Sequence, residues 1–252
     1  MKLRVLGSAG AEMPDFKPPA FLIDEHLLLD AGTIGAVLTE EEQKKLQHIF
    51  ITHSHLDHIR GIPALADNII LKNFQHSVSL HSIREVISAM QHHLFNNIIW
   101  PDFTSIPSSE HPVLALETII PEKEYILSGY CIKGIPVNHT VPAVGYLVRH
   151  GGATLLYSGD TGPTEQLWHH ANGIDVLIVE VSFPDSMEAL ALLTKHLTSS
   201  LLKVELAKIA VLPKRILITH PKPQYVETIR SEIEALGMKE IELLHDGAEF
   251  DI

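Results

Sequence analysis

Three histidines and one aspartate fall within six consecutive positions of the chain. They are His53, His55, Asp57 and His58, and they follow the strand candidate HIFIT in the stretch FITHSHLDHIRG. Imidazole nitrogens and carboxylate oxygens are the ligands that zinc and related metals favour, and a catalytic ion keeps one position open for water. Four such ligands in one loop can serve two ions, so the stretch predicts a metal site that draws further ligands from elsewhere in the chain.

Three further ligand candidates close apolar segments later in the chain. His139 ends IKGIPVNH, Asp160 ends ATLLYSGD and His220 ends RILITH. A polar residue at the end of a strand is common, so each of these taken alone is more readily interpreted as a structural residue than as a ligand. Functional sites are nevertheless built at strand ends, and together the three complete a site for two divalent ions. The ligand types favour zinc, with manganese or iron as alternatives.

The elements that must position these residues alternate between short apolar strands and amphipathic helices. Strand candidates precede each ligand group, and helical patterns occupy 82–95, 199–211 and 223–237. Neighbouring strands at 20–24 and 27–30, and again at 144–149 and 153–158, are joined by tight turns that predict hairpins. This order favours a layered α/β sandwich over a doubly wound parallel sheet.

The length and composition favour one domain over residues 1–252. The chain has 252 residues, 45% of them hydrophobic, and lacks a low-complexity linker. Cys131 is the single cysteine, and the amino-terminal segment lacks the apolar core of a secretory signal, so we expect a cytoplasmic protein. The apolar runs are too short to cross a bilayer, so no membrane role is expected.

The charge balance argues against a nucleic-acid partner. Thirty-one acidic residues against nineteen basic ones give a formal charge of −12, which repels polyanions. A compact anionic substrate remains compatible with this charge if metal ions supply the positive charge locally. The sequence leaves open whether the chain is a monomer or a homodimer.

The order THSHLDH, NHTVPAVGYL, YSGDTG and ITH resembles the metallo-β-lactamase superfamily over essentially the full chain. The resemblance implies an α/β fold, a four-layer αββα sandwich with two metals at one edge. It implies one ion bound by His53, His55 and His139, a second bound by Asp57, His58 and His220, and Asp160 between them. Diiron redox members carry a glutamate where this chain has His55, so the resemblance favours hydrolysis.

The segment IVEVSFPDSMEALALLTKHLTSS, residues 178–200, resembles two phosphodiesterase groups of that superfamily. Its Glu-x-Ser-Phe and His-x-Thr elements are similar to those of ribonuclease Z type enzymes and of class II cyclic-nucleotide phosphodiesterases. The resemblance implies that Glu180, His196 and Asp57 are catalytic, with His196 protonating the departing alkoxide and Glu180 orienting it. The alternative interpretation of His196 is a surface histidine at the start of a helix.

Four segments favour the class II cyclic-nucleotide enzymes over the ribonuclease Z type. They are LADN, HLFNNIIWPDFT, YSGDTGPTEQLW and TKHLTSS, whereas the residues at 61–66 match the class signature only in part. The chain also lacks the inserted basic, glycine-rich arm of ribonuclease Z enzymes. The expected function is therefore a zinc-dependent phosphodiesterase that hydrolyses cAMP or cGMP to the 5′-monophosphate by attack of a metal-activated hydroxide. A ribonuclease Z type tRNA 3′-endonuclease, or another hydrolase of the superfamily, is the alternative.

Overall fold

The computed structural model describes residues 1–72 and 76–252, and within these ranges the chain forms two sheets of seven strands each. The first sheet contains β1 (Lys2–Gly7), β2 (Ala20–Ile23), β3 (Leu27–Leu29), β4 (His48–Phe50), β5 (Val78–Ser82), β6 (Leu114–Thr118) and β14 (Glu249–Asp251). The second sheet contains β7 (Glu124–Leu127), β8 (Tyr130–Pro136), β9 (Val144–His150), β10 (Ala153–Tyr157), β11 (Val176–Glu180), β12 (Arg215–Thr219) and β13 (Ile241–Leu243).

Helices lie outside the two sheets. They are α1 (Glu40–Gln43), α2 (Leu56–Ile59), α3 (Gly61–Leu71), α4 (Arg84–His93), α5 (Gln166–His169), α6 (Glu188–Thr194), α7 (Ser199–Leu206) and α8 (Val226–Ala235). Apolar residues of α3 and α4 join the core of the first sheet, and those of α5, α7 and α8 pack on the second. The resulting α, β, β, α layers confirm the predicted four-layer sandwich.

The strand β11 shows why the sequence produces these layers. Val176 and Ile178 pack into the core between the sheets, while Leu177 and Val179 pack against the helices on the other side. Successive side chains of a strand point to opposite faces, so a strand that is buried on both faces is apolar at every position. The unbroken apolar run at 176–179 follows from this double burial.

The strand order brings several carboxyl ends to one edge of the sandwich. In the second sheet β10, β11 and β12 are parallel, and β8 runs the same way because β8 and β10 are both antiparallel to β9. The other sheet joins this edge where the Val144 amide at the start of β9 donates to the Thr52 carbonyl just after β4, at 3.0 Å. The residues that follow β4, β8, β10, β11 and β12 therefore meet.

Local signals predicted both hairpins. β2 pairs with β3, and β9 pairs with β10 through Gly151 and Gly152, whose φ values are +58° and +89°. The helix α8 ends as expected, since Gly237 just beyond it has φ +67°. The helix predicted at 199–211 is shorter than expected and ends at Leu206.

In the described part of the chain, no helix is both long enough and apolar enough to cross a membrane.

Candidate metal centre

The ligand candidates reach one place because each follows a strand that ends at the same edge. His53 and His55 lie in the loop after β4, and Asp57 and His58 lie in the first turn of α2. His139 follows β8, and Asp160 and His220 follow β10 and β12 in the same way. The structure brings all seven predicted ligands together.

One group of side chains surrounds the first candidate position. The Nε2 atoms of His53 and His139 lie 3.0 Å and 3.2 Å from Nδ1 of His55. An Asp160 oxygen, Oδ2, lies 3.7 Å from Nε2 of His53 and 4.0 Å from Nε2 of His139. Three imidazoles and one carboxylate therefore converge with their ligand atoms within 4.8 Å of one another.

A second group forms beside the first. Nε2 of His220 lies 3.4 Å from Oδ2 of Asp57 and 3.3 Å from Oδ2 of Asp160. The other oxygen of Asp160, Oδ1, lies 3.4 Å from Nε2 of His58. Asp160 thus stands between the two groups with its oxygens near ligands of both. This position is the one that the sequence comparison with the superfamily assigned to it.

The outward-facing nitrogens of four histidines determine where their protons lie. Nδ1 of His58 faces the Asp30 carboxylate at 2.7 Å, and Nδ1 of His139 faces the Lys195 carbonyl at 3.1 Å. Both partners only accept, so both Nδ1 atoms carry the proton. Nδ1 of His53 and of His220 face the hydroxyls of Thr52 and Ser182, each of which also contacts a carboxylate that can accept its proton.

Because the protons lie on the outside, the inward-facing nitrogens present bare lone pairs to one another. In addition, His58 Nε2 and Asp160 Oδ1 are buried and make no hydrogen bond. Buried acceptors without a donor are costly unless a cation sits between them. Imidazole nitrogens and carboxylate oxygens are suitable ligands for divalent ions such as zinc. The acceptors bonded to the outer ring nitrogens fix the orientation of the imidazoles, as is usual for metal ligands.

The electrostatics of the pocket favour the protonation states that metal ligands need. Burial holds the pKa of His53 well below its usual range, and burial also lowers the pKa of His55 and His139. Burial alone would raise the pKa of Asp160, but the neighbouring His220 and His58 hold it well below its usual value. The carboxylate is therefore ionised and these imidazoles are neutral, as metal binding requires.

His58 behaves differently from the other histidines. Burial opposes its protonation, but the carboxylates of Asp160 and Asp30 outweigh that effect and raise its pKa well above the ordinary value. The pocket thus favours positive charge at Nε2 of His58, between the two ligand groups. A divalent cation there supplies the same compensation without a proton.

Glu180 and His196 form a buried pair next to the ligands. Oε1 of Glu180 lies 2.7 Å from Nδ1 of His196, and it also accepts from the Thr161 amide at 2.9 Å. The His196 ring stacks beside that of His220 with centroids 5.5 Å apart. Only 8% of His196 is exposed, so the alternative of a surface histidine was wrong. The helix start nearby is capped by Thr198.

Asp30 belongs to the site, although the sequence did not identify it as a site residue. Its carboxylate accepts hydrogen bonds from His58, from Tyr157, and from both the amide and the hydroxyl of Thr52. Thr52 in turn contacts Nδ1 of His53 at 3.0 Å. One buried carboxylate therefore orients a histidine in each ligand group. Asp30 follows directly after β3, and a position after a strand is the same sequence signal by which Asp160 was identified.

A glycine makes room for His220. A Cβ at Gly10 would lie 2.7 Å from Nδ1 of His220 and 2.5 Å from its carbonyl oxygen. His220 has φ +66°, and its amide donates to the Ser8 carbonyl at 2.6 Å. The segment 6–10, which ends β1 and turns away from it, therefore packs directly against this histidine.

The ligand candidates differ in their burial. His53, His58, His139, Asp160 and His220 are buried, whereas His55 and Asp57 are half-buried and Leu56 between them is exposed. The more accessible side of the ligand cluster therefore lies over His55 and Asp57.

Comparison with known proteins identifies the domain. The family described as the beta-lactamase superfamily domain matches residues 27–220, which include every ligand candidate and the Glu180 and His196 pair. Ribonuclease Z of Methanocaldococcus jannaschii is 28% identical over 75% of this chain and 73% of its own length.

One further relative and one solved structure are similar to this chain over most of its length. A probable 3′,5′-cyclic-nucleotide phosphodiesterase of Yersinia pestis is 24% identical over 89% of this chain and 72% of that protein. The crystal structure of unliganded yeast PDE1 matches with a TM-score of 0.80 at 18% identity and covers 98% of each chain. At that identity the structural likeness shows a shared fold.

Proposed function

Since this chain belongs to the metallo-β-lactamase superfamily and is a metal-dependent hydrolase, we propose a specific reaction for it. The proposed reaction is the hydrolysis of 3′,5′-cyclic nucleotides to 5′-nucleoside monophosphates. The observation that carries the proposal is the Glu180 and His196 pair beside two converging ligand groups. A phosphodiesterase needs both parts, because one activates water and the other supplies the departing oxygen with a proton.

The proposed ligands divide between two ions. His53, His55 and His139 would hold one ion, Asp57, His58 and His220 would hold the other, and Asp160 would contact both. When bound, such ions make water a nucleophile at neutral pH and neutralise charge that gathers on the phosphoryl oxygens. Asp30 and Thr52 keep the histidine lone pairs directed inward by fixing the protons on the outer nitrogens.

His196 is the proposed general acid. Its Nδ1 proton is held by Glu180, so Nε2 is the atom left to give a proton to the 3′ oxygen. Burial opposes a charged ring, but the Glu180 carboxylate outweighs this and raises the pKa of His196. A histidine that keeps its proton near neutral pH is suited to protonate an alkoxide as the bond to phosphorus breaks.

The charge near the site supports a compact substrate rather than an RNA. Arg60, which follows the metal loop, is paired with Glu12, with Nη2 donating to Oε1 at 2.7 Å. The lysines that follow His220 and precede His196 donate to backbone carbonyls: Lys222 to Gly10 at 2.5 Å and Lys195 to His139 at 2.9 Å. These cations are already engaged, in a chain with a formal charge of −12. Repeated contacts with the phosphates of an RNA would need basic side chains that are not already bonded within the protein.

A ribonuclease Z type activity is the second candidate. The similarity to the Methanocaldococcus jannaschii enzyme favours it, and the resemblance of the ligand motifs and of the Glu180 and His196 elements extends to that group as well. The two candidates differ in the size of the substrate and in its leaving group, so a direct assay separates them.

The proposal is tested with the zinc-loaded protein and cAMP or cGMP. We expect formation of the 5′-monophosphate, its loss on chelation, and its recovery when zinc is returned. Asp160→Ala should lose both activity and bound metal, because its carboxylate serves both ligand groups. Asp251→Ala, which removes an exposed carboxylate of β14, is the matched control and should retain both. Full turnover in Asp160→Ala would overturn the proposed site.

A further inference from the structure

Ser182 lies between the proposed general acid and one metal ligand. It is completely buried, two residues beyond Glu180, where the chain leaves β11. Its amide donates to the Leu197 carbonyl, and its carbonyl accepts from the Lys222 amide, both at 3.1 Å. The backbone of Ser182 therefore joins the segment that carries His196 to the segment that carries His220.

The side chain of Ser182 makes a second connection between the same segments. Its Oγ lies 2.7 Å from Oε2 of Glu180, 2.8 Å from Nδ1 of His220 and 3.1 Å from Nδ1 of His196. A serine hydroxyl has one proton to donate and two lone pairs. The three partners therefore use the full hydrogen-bonding capacity of the Ser182 hydroxyl.

Only one arrangement of protons satisfies these contacts. The ionised Glu180 carboxylate can only accept, so Ser182 donates its hydroxyl proton there. The Oγ lone pairs are then free to accept from Nδ1–H of His220 and, more weakly, from Nδ1–H of His196, whose shorter bond is to Glu180 at 2.7 Å. With its proton on Nδ1, His220 presents the Nε2 lone pair toward Asp57 and Asp160.

We propose that Ser182 is a positioning residue that fixes the tautomer of His220 and holds its ring beside that of His196. The hydroxyl thereby sets the affinity of the group Asp57, His58 and His220 for its metal ion. It also aligns the general acid with that ion, and this second part rests on the proposed function. The group His53, His55 and His139 has its own outer partners in Thr52 and Lys195, so its affinity is independent of Ser182.

Removing the hydroxyl has different consequences for the two ions. In Ser182→Ala, Nδ1 of His220 loses the acceptor that holds its proton, and the ring is free to change tautomer or turn. Loss of such an outer partner typically weakens metal binding about 10- to 100-fold. We expect this loss for one of the two ions, with the other bound as in the unchanged protein. Ser182→Thr keeps a hydroxyl and should bind that ion more tightly than Ser182→Ala, with the other ion bound equally in both variants.

The test is stepwise removal of zinc from the loaded protein by a chromogenic chelator, without any substrate. The matched control is Ser199→Ala, which removes another buried serine hydroxyl bonded to a carboxylate, that of Glu232 at 3.0 Å. This control should release both ions as the unchanged protein does. Release of both ions from Ser182→Ala at unchanged affinity would overturn the inference.

Two further measurements keep the result decisive. If Ser182→Ala does not fold, Ser182→Cys replaces it, because a thiol is a weak acceptor and should lose the same ion. Turnover of cAMP by the fully zinc-loaded variants is measured separately. Absence of cyclic-nucleotide hydrolysis in the unchanged protein would contradict the proposed function, while the zinc titration would still decide the role of Ser182.

Discussion

A proton on His196 matters only when the departing oxygen needs one. A cyclic nucleotide releases a strongly basic 3′ alkoxide, whereas an aryl phosphodiester releases a nitrophenolate that leaves unprotonated. We therefore expect His196→Ala to lower kcat for cAMP about 10²- to 10⁴-fold and to lower it far less for bis(p-nitrophenyl) phosphate. Steady-state kinetics on both substrates, with zinc content measured in parallel, provides the comparison.

The matched control for this variant is His169→Ala, since His169 is exposed. It should leave both rates and the zinc content unchanged. An equal loss on the two substrates, or normal turnover of cAMP by His196→Ala, would contradict the assignment of the general acid.

A second histidine, His81 of β5, links stability to pH away from the metal centre. It is 5% exposed and stacks on Phe50 with ring centroids 4.5 Å apart. Burial, helped by the nearby His48, lowers its pKa to about 4. The unfolded chain takes up this proton near pH 6.5, so the stability that neutral His81 provides is complete above that pH. It is lost as the pH falls toward 4.

This difference predicts how a variant responds to acid. Between pH 7.5 and pH 5 the unchanged protein should lose about 2 kcal/mol more stability than His81→Phe, which keeps the stacked ring but cannot be protonated. Urea unfolding at both pH values measures the difference. His93→Phe, at an exposed histidine, should follow the unchanged protein. If His81→Phe lost as much stability as the unchanged protein between pH 7.5 and pH 5, protonation of the His81 ring would not be the cause of the acid sensitivity.

The residue types identified the seven ligand candidates because metal ligands stand out by chemistry and by their place at strand ends. Their partners could not be identified in the same way. Asp30 and Tyr157 are 127 residues apart, and the Lys195 carbonyl that holds His139 belongs to a backbone group with no sequence signature. Such contacts depend on the packing of the two sheets, which a single sequence does not specify.

Among the loops, the turn after β1 has a specific role in holding His220. In Gly10→Ala the new methyl group would meet the His220 backbone at 2.5 Å, so the ligand must move. We expect zinc binding to weaken by at least about tenfold, as for other changes that displace a metal ligand. We also expect a loss of about 1–3 kcal/mol in stability from overpacking. Chelator competition and urea unfolding measure the two effects.

Gly35→Ala is the control for this prediction. A Cβ at Gly35 meets nothing closer than Nδ2 of Asn68 at 4.0 Å, so zinc binding should be unchanged. If Gly10→Ala binds zinc as tightly as the control does, the turn does not support the ligand.

Local signals predicted some elements well and others poorly. The hairpin of β9 and β10 and the end of α8 depend on glycines with positive φ, which stand out in the sequence, whereas the turn between β2 and β3 has positive φ at Asp24 and Glu25. The helix α6 and the edge strands β7, β13 and β14 were not predicted. They are three to seven residues long, and β13 and β14 owe their pairing to a neighbour distant in sequence, as β14 does with β1.

At the scale of the whole molecule, the net charge of the chain and the pairing of its basic side chains favour one candidate substrate over the other. The family resemblance and the layer order followed from the sequence, and both are confirmed. The extent of the domain over 1–252 and the cytoplasmic location stay predictions. The substrate depends on which groups border the opening over His55 and Asp57, and an acidic surface with engaged cations favours a small phosphodiester.

A competition assay is the most direct test of the proposed substrate. The zinc-loaded protein is given cAMP and a precursor tRNA in one reaction, and the amounts of 5′-AMP and of processed tRNA are measured over time. We predict that cAMP is converted to 5′-AMP while the tRNA stays intact, and that a chelator stops the reaction. Processing of the tRNA with cAMP left unchanged would contradict the proposal and establish the endonuclease activity in its place.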